Sequence, residues 1–281
     1  MRVDWLHKQA VLALVLAAGC VPGSALRPDD HPLQTEVGTF YLAYAPAQAQ
    51  GAARVRAAIQ KAGPLLVVKW GKLQEPVTVR IQPDHRTLEL AAGSSGFAWL
   101  RAWTRYAVMD VEAPESWQPI PATQQALEET MLHELTHALM YQAAADLGGW
   151  RQKKIPEWFR EGMASYTADQ GYRWPPLEQL ARTLEEHPEW EPLVRPDPLS
   201  RDQMPLVYGA AHHAFSFLVS RYGEETVRTL LKDMSQGPDF PGAFTAAVGI
   251  PPDAFLRDFE RYLRLRGFKG GRLLHPSDPP P

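Results

Sequence analysis

Residues 131–139 read Met-Leu-His-Glu-Leu-Thr-His-Ala-Leu, MLHELTHAL, inside the longer run 124–142, QQALEETMLHELTHALMYQ. No Pro or Gly interrupts this run, and Thr123 stands where an N-cap residue would. The stretch therefore predicts a helix over about 123–145. On a helix, His133 and His137 lie one turn apart and point the same way. Their imidazoles can share one ion, roughly 2.0–2.1 Å from each nitrogen if that ion is zinc. Glu134 is rotated about 100° from His133. It falls outside that coordination sphere but within reach of a water on the ion, which is where a general base belongs. Three fixed positions recur by chance, so the flanks decide. Met131, Leu132, Leu135, Ala138 and Leu139 make the helix apolar. Burying two imidazoles and a carboxylate there without partners costs on the order of 2 kcal/mol or more for each. A bound metal removes that cost.

A catalytic metal of this kind takes three protein ligands and keeps one position open. The third ligand is expected from residues 155–168, IPEWFREGMASYTA. Pro156 can open a helix there, with Trp158, Phe159 and Met163 as apolar anchors. Gly162 and Ala164 are small enough to let that helix approach the first one. Glu161, in its EG-x-A setting, is the favoured ligand. Glu157, one turn earlier on the same face, is the rival, and a solvated Glu161 paired with Arg160 is the bland alternative.

HELTHAL followed by PEWFREGMASY resembles the gluzincin metallopeptidases, specifically the peptidase MA-like group. The likeness is strong over the two motifs and extends over about residues 75–235, with looser similarity at 36–75 and 240–281. It implies a zincin-like cleft, a Zn2+ cofactor and hydrolysis of peptide bonds. By that resemblance His133, His137 and Glu161 hold the zinc and Glu134 is the base. No GxMEN-type motif is present, so the resemblance stops short of the aminopeptidase branch. An oxyanion donor is expected from residues 204–223, MPLVYGAAHHAFSFLVSRYG, where Tyr208 and then His212 are the candidates. Each could instead be an ordinary core residue. Glu129 and Ser165 are candidates to orient a ligand imidazole. The resemblance also suggests residues 107–110 as the strand edge that receives substrate. Trp99, Trp103 and Trp117 either line the cleft or are simply spread through core and surface.

Outward from these motifs, the chain of 281 residues is 45% hydrophobic and 22% charged, a globular composition. A net charge of -3 gives no electrostatic reason to expect nucleic acid. The N-terminus reads as a signal segment, residues 1–20, with basic Arg2 and Lys8 ahead of AVLALVLAAG. Cys20, the one cysteine, ends Leu-Ala-Ala-Gly-Cys, which resembles a lipobox. Membrane anchoring through lipidated Cys20 and plain secretion with cleavage near Ser24-Ala25 both place the chain in the bacterial cell envelope or outside it. Residues 21–35 read as a tether, 36–118 as a small mixed α/β unit, 119–270 as a mostly helical part and 271–281 as a disordered tail. The α/β unit should hold a helix over 47–62, closed by Gly63-Pro64, and strands at TFYLAYAP, LLVVKW, PVTVRIQP and YAVMDVEAP. The fold class is thus α+β with an edge strand facing the helices. The function expected is a zinc metallopeptidase acting on peptides or proteins. The alternatives are an envelope binding protein on such a scaffold, or a zinc hydrolase of a non-peptide envelope substrate.

Overall fold

The computed structural model describes residues 27–28, 32–93, 95–196 and 203–269. The signal segment, Cys20 and the tail lie outside the described residues. Strands β1 (Arg27–Pro28), β2 (Leu33–Gln34), β3 (Thr39–Tyr44), β4 (Val77–Gln82), β5 (Ala102–Arg105) and β6 (Val108–Glu112) form one mixed sheet. Their order is β1-β3-β4-β6-β5, with β2 also on β3. The β3–β4 and β4–β6 pairs are parallel and the others antiparallel. The stretch read as a tether therefore contributes two short pairings to β3.

Central strands are covered on both faces, and the residues show it. Val77, Val79 and Ile81 of β4 and Met109 and Val111 of β6 are fully buried. The other face of β6 buries Asp110 and Glu112. Each has partners, as buried charge requires. Asp110 accepts from Arg80 at 2.5 Å and from Arg105 and Gln82 at 2.7 Å. Glu112 meets His85, Arg101 and Ser116 at 3.1–3.2 Å.

Two expectations are corrected here. Helix α1 (Ala49–Lys69) runs straight through Pro64, so LLVVKW is its last turns and not a strand. Val55, Ala58, Ile59, Ala62 and Leu66 are buried at helical spacing, while Leu65 and Val68 are exposed. Burying that stripe outweighs the roughly 3 kcal/mol that an interior Pro costs. Residues 107–110 are not the open edge either. β6 lies between β4 and β5, and β5 is the terminal strand at this end of the sheet.

The second half is helical: α3 (Gln124–Ala144), α4 (Glu157–Thr167), α5 (Leu177–Glu186), α6 (Met204–Tyr222), α7 (Glu224–Ser235), α8 (Phe240–Val248) and α9 (Pro252–Lys269). The architecture is α+β, as the sequence implied. A further helix, α2 (His85–Ala92), precedes β5. Asp84 and Asp239 cap α2 and α8 by accepting from Thr87 N and Gly242 N. Thr123 caps α3 by accepting from Ala126 N at 3.1 Å. One apolar core joins sheet and helices, with Leu42, Ile59, Val79, Leu135, Phe159 and Phe215 among its members.

Helix α4 is wedged tightly against α6. A Cβ on Gly162 would sit 2.4 Å from the Ala211 carbonyl oxygen and 2.7 Å from Phe215 Cβ. A Gly162→Ala substitution gains helix propensity of about 1 kcal/mol. It should nonetheless lose stability, because overpacking against backbone costs about 1–3 kcal/mol or more. Urea unfolding checks this: the midpoint should fall, and a midpoint at or above wild type contradicts the close approach.

Candidate metal centre and its cleft

Helix α3 carries His133 and His137 one turn apart, with Glu134 next to the first, and α4 crosses it carrying Glu161. The His133 and His137 Nε2 atoms are 3.2 Å apart. Glu161 Oε2 lies 3.4 Å from the first and 3.6 Å from the second. Donors held about 2.0–2.1 Å from a zinc ion at tetrahedral angles are roughly 3.3–3.4 Å from each other. The three separations straddle that spacing, so the side chains fit such an ion without rearrangement. Among the described residues, these three form the group able to hold a metal, with ligand atoms all within 4.8 Å.

The imidazoles are set by their surroundings. His133 Nδ1 lies 2.9 Å from Gln170 Oε1. An amide oxygen only accepts, so Nδ1 carries the proton and Nε2 presents its lone pair to the shared point. Gln170 sits buried in the 3-10 turn Gln170–Arg173 that follows α4. The sequence pointed to Glu129 or Ser165 for this task. Glu129 is instead taken up by Arg173 and the Tyr172 hydroxyl. Ser165 bonds Trp174 Nε1 at 2.8 Å and His212 Nδ1 at 3.0 Å. His137 Nδ1 is buried without a hydrogen-bond partner.

Charge concentrates at this point. Burial pushes the Glu161 carboxyl up, but the His137 charge and hydrogen bonds from both imidazoles outweigh it and hold the group well below the usual carboxylate range. Burial pushes His133 down, while the Glu161 hydrogen bond and charge more than reverse it, so its pKa lies above that of a free imidazole. A cation shared by the three side chains would take the place of that proton.

Glu134 lies outside the metal group. Its Oε2 accepts a 2.7 Å hydrogen bond from Thr104 Oγ1 on β5, and the residue is 8% exposed. The terminal strand of the sheet thus touches the candidate base.

A cleft of about 930 Å3 opens over these groups, with Trp99, Trp103, Trp174 and Tyr208 in its walls. Tyr208 stacks on Trp174 at 5.4 Å and 15° and meets Trp99 edge-on at 5.4 Å. Burial first, then the carboxylates of Glu161, Glu157 and Glu134, raise its hydroxyl well above 10, so it remains an O–H donor. Trp117 is elsewhere, buried with its Nε1 donating to the Glu112 carbonyl at 3.1 Å.

His212 does not line the cleft. It shares a helical face with Tyr208, but α4 and the turn after it cover the imidazole. Ser165 bonds its Nδ1, and Gly171 packs so close that a Cβ there would be 2.7 Å from its Nε2. Burial, then the His213 charge, lowers its pKa to about 4, so it stays neutral. Its observed part is to pin the Ser165–Trp174 corner beneath Tyr208.

No family model matches this chain. No curated protein matches it. Among solved structures it is similar to Legionella pneumophila aminopeptidase A in complex with aspartic acid, at 16% identity and a TM-score of 0.53. That match covers 83% of this chain and 28% of that one. An M1 zinc metallopeptidase from Deinococcus radiodurans, bound to a Tyr-Ser-Ala substrate, overlaps at 16% identity and a TM-score of 0.41, covering 90% of this chain and 54% of that one. The likeness to the first is one of fold, and this chain spans only part of either protein.

Replacing Gln170 by Leu removes the acceptor for His133 Nδ1. Metal affinity should fall about 10–100-fold, with the fold intact. Competition with a chromophoric chelator reads this directly, and unchanged affinity in Gln170→Leu would show that the turn does not orient the imidazole.

Proposed function

We propose that this chain is a zinc-dependent metallopeptidase of gluzincin type, hydrolysing internal peptide bonds at the bacterial cell envelope and anchored there through Cys20. The donor set of two imidazole nitrogens and one carboxylate oxygen suits zinc. The fold likeness to an aminopeptidase supports the reading at the level of scaffold.

The observation that carries it is the position of Glu134. Its carboxylate is buried in the cleft wall, adjacent in sequence to a ligand, yet not part of the ligand group. A metal kept only for structure or binding needs ligands and no base, so this placement favours an enzyme over a binding protein. Zinc, when bound, supplies Lewis acidity for water activation and carbonyl polarisation. The Thr104 hydroxyl fixes Glu134 by occupying one carboxylate oxygen. The other oxygen takes the proton of the attacking water and returns it to the leaving amine. Tyr208, kept protonated, donates its O–H to the oxyanion that develops on the scissile carbonyl. An extended peptide can add to the free side of β5 by main-chain hydrogen bonds, which aligns it beside Glu134.

Quenched-fluorescence peptide hydrolysis by the zinc-loaded protein tests this. Glu134→Gln should lower kcat by about 10²–10⁴-fold while zinc content stays at the wild-type level. Tyr208→Phe should cost about 10²–10³-fold in kcat with little change in KM. Peptide turnover that survives Glu134→Gln sinks the assignment of the base.

A further inference from the structure

The walls of the cleft are not electrically alike. Among its basic residues, Arg101, Arg105 and Arg173 are each tied to a carboxylate, those of Glu112, Asp110 and Glu129. Three others, Arg151, Lys154 and Arg160, come from one stretch, the 3-10 turn Trp150–Lys153 and the start of α4. Lys154 is exposed, and its nearest carboxylate, that of Asp239, is 3.8 Å away. Arg151 rests over the Trp150 ring at 5.2 Å. Arg160 is half-buried, meets the Tyr141 hydroxyl, stands in the field of the Glu161 and Glu157 carboxylates, and has an Nε–H with no acceptor among the described residues. A chain of net charge -3 thus gathers three cations on one wall, with Glu157 the carboxylate in the same stretch.

Their distance from the metal group is set by stacked rings. Tyr141 stacks on His137 at 6.0 Å and 11°. Trp150 lies against Tyr141 at 4.5 Å. Arg160, at the Tyr141 hydroxyl, therefore stands about one ring beyond His137, within reach of a few residues of extended chain at ~3.3 Å each. A guanidinium offers five donors in a rigid fork matched to a carboxylate, and a partly buried one gains most from finding it.

We propose that this wall is a carboxylate-binding subsite, in which Arg160, flanked by Arg151 and Lys154, selects peptides bearing a negative charge within a few residues of the scissile bond. The inference rests on the peptidase reading of the same cleft. The carboxylate can come from an acidic side chain or from the substrate's C-terminus, since the chemistry recognised is the same.

The test uses the full-length, zinc-loaded chain and one quenched-fluorescence peptide series. Members differ only by Glu or Gln at positions flanking the scissile bond, or by a free or amidated C-terminus. The ratio of kcat/KM for the charged member to its neutral twin should be at least about tenfold in the wild type, the range of a charge-assisted hydrogen bond. It should collapse in Arg160→Gln and return in Arg160→Lys. A merely structural role for Arg160 would change both twins alike and leave the ratio standing. A Glu-over-Gln preference assigns the side-chain source, and an acid-over-amide preference the C-terminal one. A wild-type ratio near one, or a ratio unchanged in Arg160→Gln, overturns the subsite. Should that variant not fold, the wild-type ratio and its loss in Arg151→Gln decide. Calorimetric binding of the same twins to Glu134→Gln separates the two readings. Charge-selective binding without turnover in the wild type supports the subsite and contradicts the peptidase. Turnover without charge selectivity contradicts the subsite alone, and absence of both removes both.

Discussion

Where α3 crosses α4, three polar atoms are forced together in an apolar setting. The His133 and His137 nitrogens and the Glu161 oxygen lie 3.2–3.6 Å from one another. Two imidazoles and a carboxylate buried this closely carry a desolvation cost of several kcal/mol unless something shared satisfies them. A proton does so in part, which is why Glu161 is held low and His133 high. A divalent cation does so fully. The crossing that creates this point depends on small residues. Gly162 allows α6 to press α4 from behind, and Trp70, the C-cap residue of α1, donates to Thr167 at 2.8 Å to hold the end of α4.

The sheet reaches Glu134 through its terminal strand. Arg105 pairs with Asp110 at 2.7 Å, and Arg101 with Glu112 at 3.2 Å, so both ends of β5 are fastened to β6 by buried carboxylates. Breaking such a pair by removing one partner costs about 3–5 kcal/mol. These pairs fasten β5 where it places Thr104 on Glu134. Glu134 is positioned from the sheet, and the three side chains able to hold a metal from the helices, so the candidate site forms where the two halves of the fold meet. The turn after α4 closes the arrangement, with Gln170 on His133 and Trp174 under Tyr208.

The parts of this legible in sequence were the local ones. Helical spacing alone puts His133 and His137 on one face, and the small residues around Glu161 announced a close-packed second helix. The mostly helical character of residues 119–270 was legible as well. The misreadings arose where distant packing overrode local signals. Gly63-Pro64 looks like a helix stop, but the buried face of α1 carries the helix through it. Ala102–Arg105 shows little strand pattern, because one face meets α3 and the other the cleft rim, so the true edge strand was overlooked. Tyr208 and His212 are equivalent by helical phase, and only the turn covering His212 separates them. Gln170 carries no sequence signal for its role, since its meeting with His133 depends on how a turn folds back over α3.

The most direct test of the central claim is the metal content of the folded protein, by elemental analysis after zinc loading and dialysis. The wild type should carry one zinc per chain, and both His137→Ala and Glu161→Ala should lose it while keeping their helical circular dichroism. A folded wild type that takes up no zinc, or a Glu161→Ala variant that retains it undiminished, would contradict the three-ligand centre on which the cleft's chemistry rests.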